Sequence, residues 1–416
     1  MEELNRGDRI DKTISLIVSL QVFLLGAKNS LIQGVPFLYT INDRLNSIIM
    51  AFVGVLYLYA IFVSLGRRLS THCLLFWGFI AISFVFTYLV FPQNVPSIKE
   101  TFLRMVTILF LTSFLLSKLK VFYWLKKYMT LFAYPTVIAG VIGGVFISMT
   151  GHITTSEYEG NNYAMSLSYA SLVAVMWLLH SFFKEKNKVA LLFALTGIVV
   201  ILLYGSRNPL LAIISYVLIE LLDSAENGKN GAKRSFYRVL LFFSAIAMLF
   251  YKEILIALSG MAESFGFNSR TLTMLSSDGI DMSNRDTIHD QLWNLINENP
   301  LTGIGIQGDV ARMDEMAHGL YLNMLSTYGY IIGIAFIIYF FAICLSALKR
   351  AKGLDHQILV IYMCLVIPRG FTGGDMWQSD IFWWLMAIIF VIQSKRYNYV
   401  RKNIVVQNQS KVVSFS

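Results

Sequence analysis

Charge is scarce in this chain. Only 14% of its 416 residues are Asp, Glu, Lys or Arg, against 56% that are hydrophobic, whereas a soluble domain carries roughly 25% charged residues. Too little polar surface is available to cover a water-soluble fold. Cysteine is nearly absent as well. Cys73, Cys344 and Cys364 each lie in an apolar run, and an odd set of buried thiols argues against a disulfide framework or a cysteine metal site, leaving small packing residues. The stretches expected on the inner side hold no glycine-rich phosphate loop, no Asp-x-Asp pair and no His-Glu-x-x-His motif, so nucleotide or zinc chemistry has no home there. Ionisable residues are also missing from the middles of the apolar runs: Arg104, Lys252 and Glu253 fall near one set of ends and Glu220 near the other. That pattern disfavours an ion-coupled transporter, which needs charged groups or broken helices near the bilayer midplane.

What the chain has in abundance is uninterrupted apolar sequence. Residues 14–25, 48–65, 189–203 and 331–348 contain no acid or base, and such runs approach the roughly 17 to 25 residues that cross hydrocarbon as a helix. The expected fold is an all-α polytopic membrane bundle of about 12 spans, near residues 13–32, 45–65, 73–91, 101–117, 129–149, 163–183, 189–204, 208–223, 236–258, 319–348, 355–369 and 378–394. The first of these lacks a small-residue cleavage site and is expected to remain as an anchor. With both ends in the cytoplasm, 24 of the 34 Lys and Arg residues fall on inner segments, which fits the excess of bases on cytoplasmic loops. The net charge of +9 therefore speaks of membrane orientation, and no nucleic-acid partner is expected. Single cysteines at Asn162, Asp278 and Asp375 are expected to be reached by an impermeant reagent from outside, and ones at Asn187 and Asn230 are not.

The domain organisation follows from the spans: a bundle over residues 1–258, an extracytoplasmic loop over 259–318, three further spans over 319–394 and a cytoplasmic tail over 395–416. The late loop is polar, and a loop of that length inside a compact protein is usually functional. Within it, Ser283-Asn284-Arg285-Asp286 has the form of a helix start. Leu292, Leu295 and Ile296 supply one apolar face, and Asn299-Pro300 ends the helix. Arg285 thus sits in the first turn of a short amphipathic helix laid across the outer mouth. Asp278 and Asp281 read as a solvated turn, and no metal site is assigned. His152, Glu157 and Glu159 read as a hydrated loop, His289 as structural, and the pairs Gly140/Gly144 and Gly329/Gly333 as close helix packing.

Four segments carry a further pattern. They are Gly205-Ser206-Arg207 before an apolar helix, Asn284-Arg285 leading to Trp293, Asn299-Pro300-Leu301-Thr302-Gly303-Ile304-Gly305, and His318-Gly319-Leu320-Tyr321-Leu322 followed by Tyr328-Gly329. Their order and topology resemble the O-antigen polymerase and O-antigen ligase superfamily of bacterial membrane glycosyltransferases, densest from Arg207 to Gly333. The family often has Asn after the histidine, where this chain has Gly319. The resemblance implies transfer of a glycan from a polyprenyl pyrophosphate donor to a sugar hydroxyl on the outer face of the bacterial cytoplasmic membrane.

The residues suit that chemistry. An arginine fork holds pyrophosphate oxygens bidentately and stabilises charge on the leaving group, which singles out Arg285 and Arg207, with Arg312 and Arg369 as further phosphate ligands. A neutral histidine accepts the proton of an attacking hydroxyl, and His318 is the candidate. Each assignment has a plainer rival: a tight turn anchored by Arg207, pairing of Arg285 with Asp286 or Asp290, an interfacial His318 capping the next span, lipid headgroups at Arg369. The expected activity is metal-independent polymerisation of lipid-linked oligosaccharide repeat units of an O-antigen or capsule. It needs no cofactor, and a flippase and a chain-length regulator are the implied protein partners. The alternatives are a ligase of the same superfamily, which moves finished polymer to a lipid acceptor, and a lipid-oligosaccharide transporter.

Overall fold

Apolar side chains face outward as well as inward along the helices. The computed structural model describes residues 2–32, 35–150, 165–204, 207–227, 251–264, 285–371, 373–377 and 379–395, and among these there are helices and turns but no strand. On α3 (Asn42–Val63) and α4 (Thr71–Val90), Phe62 is 72% exposed, Leu75 68% and Leu89 71%. In water such a surface would drive aggregation, whereas hydrocarbon solvates it. Among the described residues seven helices are long and apolar enough to cross a membrane, which makes this a helical membrane protein. They are α1 (Glu2–Ile32), α3, α4, α7 (Tyr123–Thr150), α8 (Met165–Glu185), α14 (Leu320–Arg350) and α15 (Leu354–Val366), the last running on to Phe371.

Shorter elements complete the bundle. They comprise α2 (Pro36–Thr40), α5 (Val95–Arg104), α6 (Thr112–Leu116), α9 (Lys188–Tyr204), α10 (Arg207–Asn227), α11 (Tyr251–Ser264), α12 (Arg285–Glu298), α13 (Gly308–Met313) and a final helix, α16, over residues 380–395. The span expected near 101–117 is not one regular helix: a π-helical turn, Met105–Leu111, separates α5 from α6. The span expected at 236–258 and the inner loop at Asn230 fall largely outside the described residues, as do Asn162, Asp278 and Asp281.

The polar contacts mark two ends of the bundle. At one end Arg67 donates to Asp11, to the Gly7 carbonyl and to the Lys118 carbonyl, while Lys118 Nζ donates to the Ser64 carbonyl at 3.0 Å. Lys126 pairs with Glu185 at 2.7 Å, Lys184 with Glu220 at 2.6 Å, and Lys395 with Asp355 at 2.7 Å. Bases that the sequence assigns to inner segments therefore gather at this basic end, paired rather than free. Burial between them is deep and aromatic, with Trp177, Trp377, Trp383 and Trp384 all almost fully enclosed. Cys73, Cys344 and Cys364 are buried free thiols.

The opposite end is knotted by backbone, and this is where close packing of Gly329 needs correction. Gly329 has φ +73° and interrupts α14, a left-handed conformation that glycine adopts at little cost. The segment Asn299 to Gly305 docks into the break: Tyr330 N donates to the Pro300 carbonyl at 2.8 Å, Ile304 N to the Ser326 carbonyl at 2.7 Å and Gly305 N to the Thr327 carbonyl at 3.2 Å. Asn94, buried just before α5, closes the knot by donating to the Ile304 and Ile306 carbonyls. A Cβ at 329 would stand 2.7 Å from the Pro300 oxygen. Gly329→Ala is therefore expected to destabilise the protein by on the order of 1–3 kcal/mol, seen as a lower thermal midpoint in detergent, while Gly78→Ala, with open space around it, should leave the midpoint unchanged.

Candidate active site

Between α13 and α14 the chain makes a tight connection, Asp314 to Gly319, that carries His318. His318 itself has φ +45°, strained backbone for a residue with a side chain. Three bonds hold this turn. Ala317 N donates to Asp309 Oδ2 at 2.9 Å, Asn323 Nδ2 donates to the same oxygen at 3.3 Å, and Asn323 N donates to the Gly319 carbonyl at 2.8 Å. The imidazole is 31% exposed, with Nε2 4.0 Å from the Glu315 carboxylate. It is reachable from solvent and bordered by an acid.

Arg369 lies beside this turn. It opens a short 3-10 turn, Arg369–Phe371, against which both α10 and α14 pack. Tyr321 donates from its hydroxyl to the Ile367 carbonyl at 3.2 Å, and a side chain at 319 would sit 3.8 Å from the Gly370 oxygen. The backbones next to His318 and next to Arg369 are thus neighbours. The Arg369 guanidinium stands 4.4 Å from the Tyr169 ring centroid, a stacking contact that fixes its plane.

Of the other predicted residues, Arg207 begins α10, and Asn208 beside it lies against Gly373 in the loop that follows Arg369. The start of α10 therefore joins the His318 and Arg369 turns. Arg285 begins α12, as expected of the amphipathic helix, whose buried Leu292 and Ile296 pack with Ile304 and Ala317. Trp293 stacks on Tyr330. Ser283, Asn284, Gly205, Ser206 and the side chains of Arg207 and Arg285 lie outside the described residues. Arg312 is exposed at the end of α13, its guanidinium 6.0 Å from the Phe91 ring, a stacking contact away from the Arg369 turn.

A buried polar cluster under the His318 turn escaped the sequence reading. Asp375, taken there as an exposed outer position, is only 3% exposed, and Asp309 and Asn323 are each 1% exposed. Trp377 N donates to Asp375 Oδ1 at 2.6 Å and Met376 N to Asn323 Oδ1 at 3.3 Å, while Asp375 Oδ2 has no hydrogen-bond partner among the described residues. Burial pushes the Asp309 carboxyl above the usual range. Burial, and then the charge of Asp309, push Asp375 up to about 8, against an opposing pull from Arg104. The only hint in the sequence was Gly373-Gly374-Asp375, an acid in a turn too short to be solvated freely. A cysteine placed at Asp375 is correspondingly a poor reporter of outside exposure.

That shift has a measurable sign. An unfolded aspartate titrates near 4, so the folded protein binds the extra proton between about pH 4 and about pH 8, and its stability falls as pH rises through that window by at most about 1.4 kcal/mol per unit. Asp375→Asn copies the protonated acid and removes this contribution. Its thermal midpoint in detergent is expected to fall less steeply than that of the wild type between about pH 5 and about pH 8. Equal slopes would show that Asp375 is not held protonated. Compared with known proteins, the chain matches no family model, no curated protein and no solved structure.

Proposed function

We propose that the chain is a membrane glycosyltransferase that polymerises polyprenyl-pyrophosphate-linked oligosaccharide repeat units of an O-antigen or capsule, at the extracytoplasmic face of the bacterial cytoplasmic membrane. The observation that carries the reading is the meeting of three sequence-predicted elements at one end of the bundle: the His318 turn, the Arg369 turn and the start of the Arg207 helix. The bases collect at the other end, which supports placing the His318 end outside.

In this reading His318 takes the proton of an acceptor sugar hydroxyl, whose oxygen attacks the anomeric carbon of the donor. The carbon–oxygen bond to pyrophosphate breaks, and the polyprenyl pyrophosphate leaves with the electron pair. Arginines meet the charge that develops there, Arg369 with its plane fixed on Tyr169 and Arg207 and Arg285 from helix starts that add their own partial positive charge. Growth is blockwise, the chain on one carrier passing to the terminal sugar of a second lipid-linked unit, and a flippase must deliver the units.

A transporter would also use a broken helix and buried carboxylates, and α14 is broken. The Ser326 and Thr327 carbonyls at that break accept from Ile304 N and Gly305 N, however, which favours a structural role for the break. Deleting the gene separates the remaining readings: single repeat units on the cell surface mark a polymerase, full-length polymer retained on the polyprenyl carrier marks the ligase, and unchanged surface polymer contradicts both.

A further inference from the structure

A base in a solvent-accessible turn with strained backbone needs something to hold it. Asp309 Oδ2 accepts from the amide of Ala317, the residue immediately before His318, and from Asn323 on the first turn of α14. Asn323 in turn accepts from Met376 N, in the loop that begins with the Arg369 turn. All three polar groups are almost wholly buried, where an unmet hydrogen bond costs more than in water.

We propose that Asp309 is a positioning residue for His318, acting through the Ala317 amide, and that Asn323 ties it to the Met376 amide and so sets the His318 turn against the loop that follows Arg369. This rests on the transferase reading only for its effect on turnover. The structural part stands by itself. Asp309 touches no reacting atom; its carboxylate selects one backbone path through a turn that has few favourable ones, since φ at His318 is +45°. Because the same oxygen receives two donors, the identity of the partner at 323 matters as much as the charge at 309. Asp375 serves as the far anchor through its backbone neighbour, and its own carboxyl, flanked by Asp309 and Arg104, need not be ionised to do so.

The test uses the full-length protein in nanodiscs and two readouts. The first is carbethoxylation of His318 by diethyl pyrocarbonate, followed by peptide mass spectrometry with exposed His356 as the reference, and it requires no turnover. The second is transfer from a polyprenyl-pyrophosphate-linked repeat unit. Asp309→Asn sets an amide against the Asn323 amide, and the modification rate of His318 is expected to change by about fivefold, the equivalent of one backbone hydrogen bond. Its kcat should fall by about 10-fold to 100-fold with KM within about twofold, as for a misplaced base. Adding Asn323→Asp gives the new amide an acceptor at 323 but leaves the Ala317 N–H facing that same amide nitrogen, so neither readout should return to wild type. Asp375→Asn should leave the His318 rate unchanged.

An unchanged His318 modification rate in folded Asp309→Asn overturns the proposal, as does a double variant that recovers both readouts, since the Ala317 bond is then not what positions His318. If the modification rates follow this pattern but the wild type transfers nothing, the positioning role stands and the transferase reading fails. Active wild type with His318 reactivity indifferent to Asp309 gives the converse.

Discussion

His318→Ala is expected to lower transfer by about 10²–10⁴-fold, the usual contribution of a general base, while donor affinity stays close to that of the wild type. The structure gives reasons for both halves. His318 sits on a turn fixed from beneath by Asp309 and Asn323, so removing its ring deletes a group at the surface of the site without loosening the bundle. The arginines lie on separate elements, the 3-10 turn at Arg369 and the starts of α10 and α12, and on the proposed function they remain to hold pyrophosphate. The residual rate should rise with pH, because hydroxide then replaces the missing base. Glu315, 4.0 Å from Nε2, is too far for a strong hydrogen bond in this geometry, so it orients the ring weakly and does not substitute for it. Accumulation and melting of the variant must match the wild type first. Normal polymer length from a well-folded His318→Ala would remove it as the base.

Arg285→Lys is the second change with a large expected effect. Lysine keeps the charge but loses the planar fork, and the loss of one preorganised donor typically costs about 10²–10³ in rate. α12 is anchored by Leu292 and Ile296, both fully buried among Ile304 and Ala317, and by Trp293 stacked on Tyr330. A Lys variant as active as wild type would reduce Arg285 to a point charge. Full activity in Arg285→Ala would pass the pyrophosphate to Arg207 or Arg369.

Periodicity and charge made much of the fold readable. Apolar runs mark the long helices, the pattern Leu292, Leu295, Ile296 marks α12 and its stop at Asn299, and the bases that sequence assigns to one side do collect at one end. These are local signals, carried by neighbours in the chain. The buried site is different. Asp309, Asn323 and the Met376 amide beside Asp375 meet through contacts 14 and 53 residues apart, and a single sequence reports which face a residue occupies, not which partner it meets across the bundle. Gly329 shows the same limit. Its spacing with Gly333 fits helix packing, and only the strand-like docking of Ile304 and Gly305 on Ser326 and Thr327 reveals that the helix is broken there. The π turn between α5 and α6 was hidden for another reason: the composition of Met105–Leu111 is that of any apolar span, and its hydrogen-bond shift leaves no mark on hydropathy.

The central claim is that this chain by itself joins lipid-linked repeat units. Purified protein in nanodiscs, given polyprenyl-pyrophosphate-linked repeat units from the cells that make it and no sugar nucleotide, tests it directly by gel and mass spectrometry of the glycolipid. The account predicts a ladder of products spaced by one repeat unit, with one polyprenyl pyrophosphate released for each bond formed and no ladder from His318→Ala. Recovery of the starting lipid-linked unit unchanged, from an active-folded preparation, would contradict it.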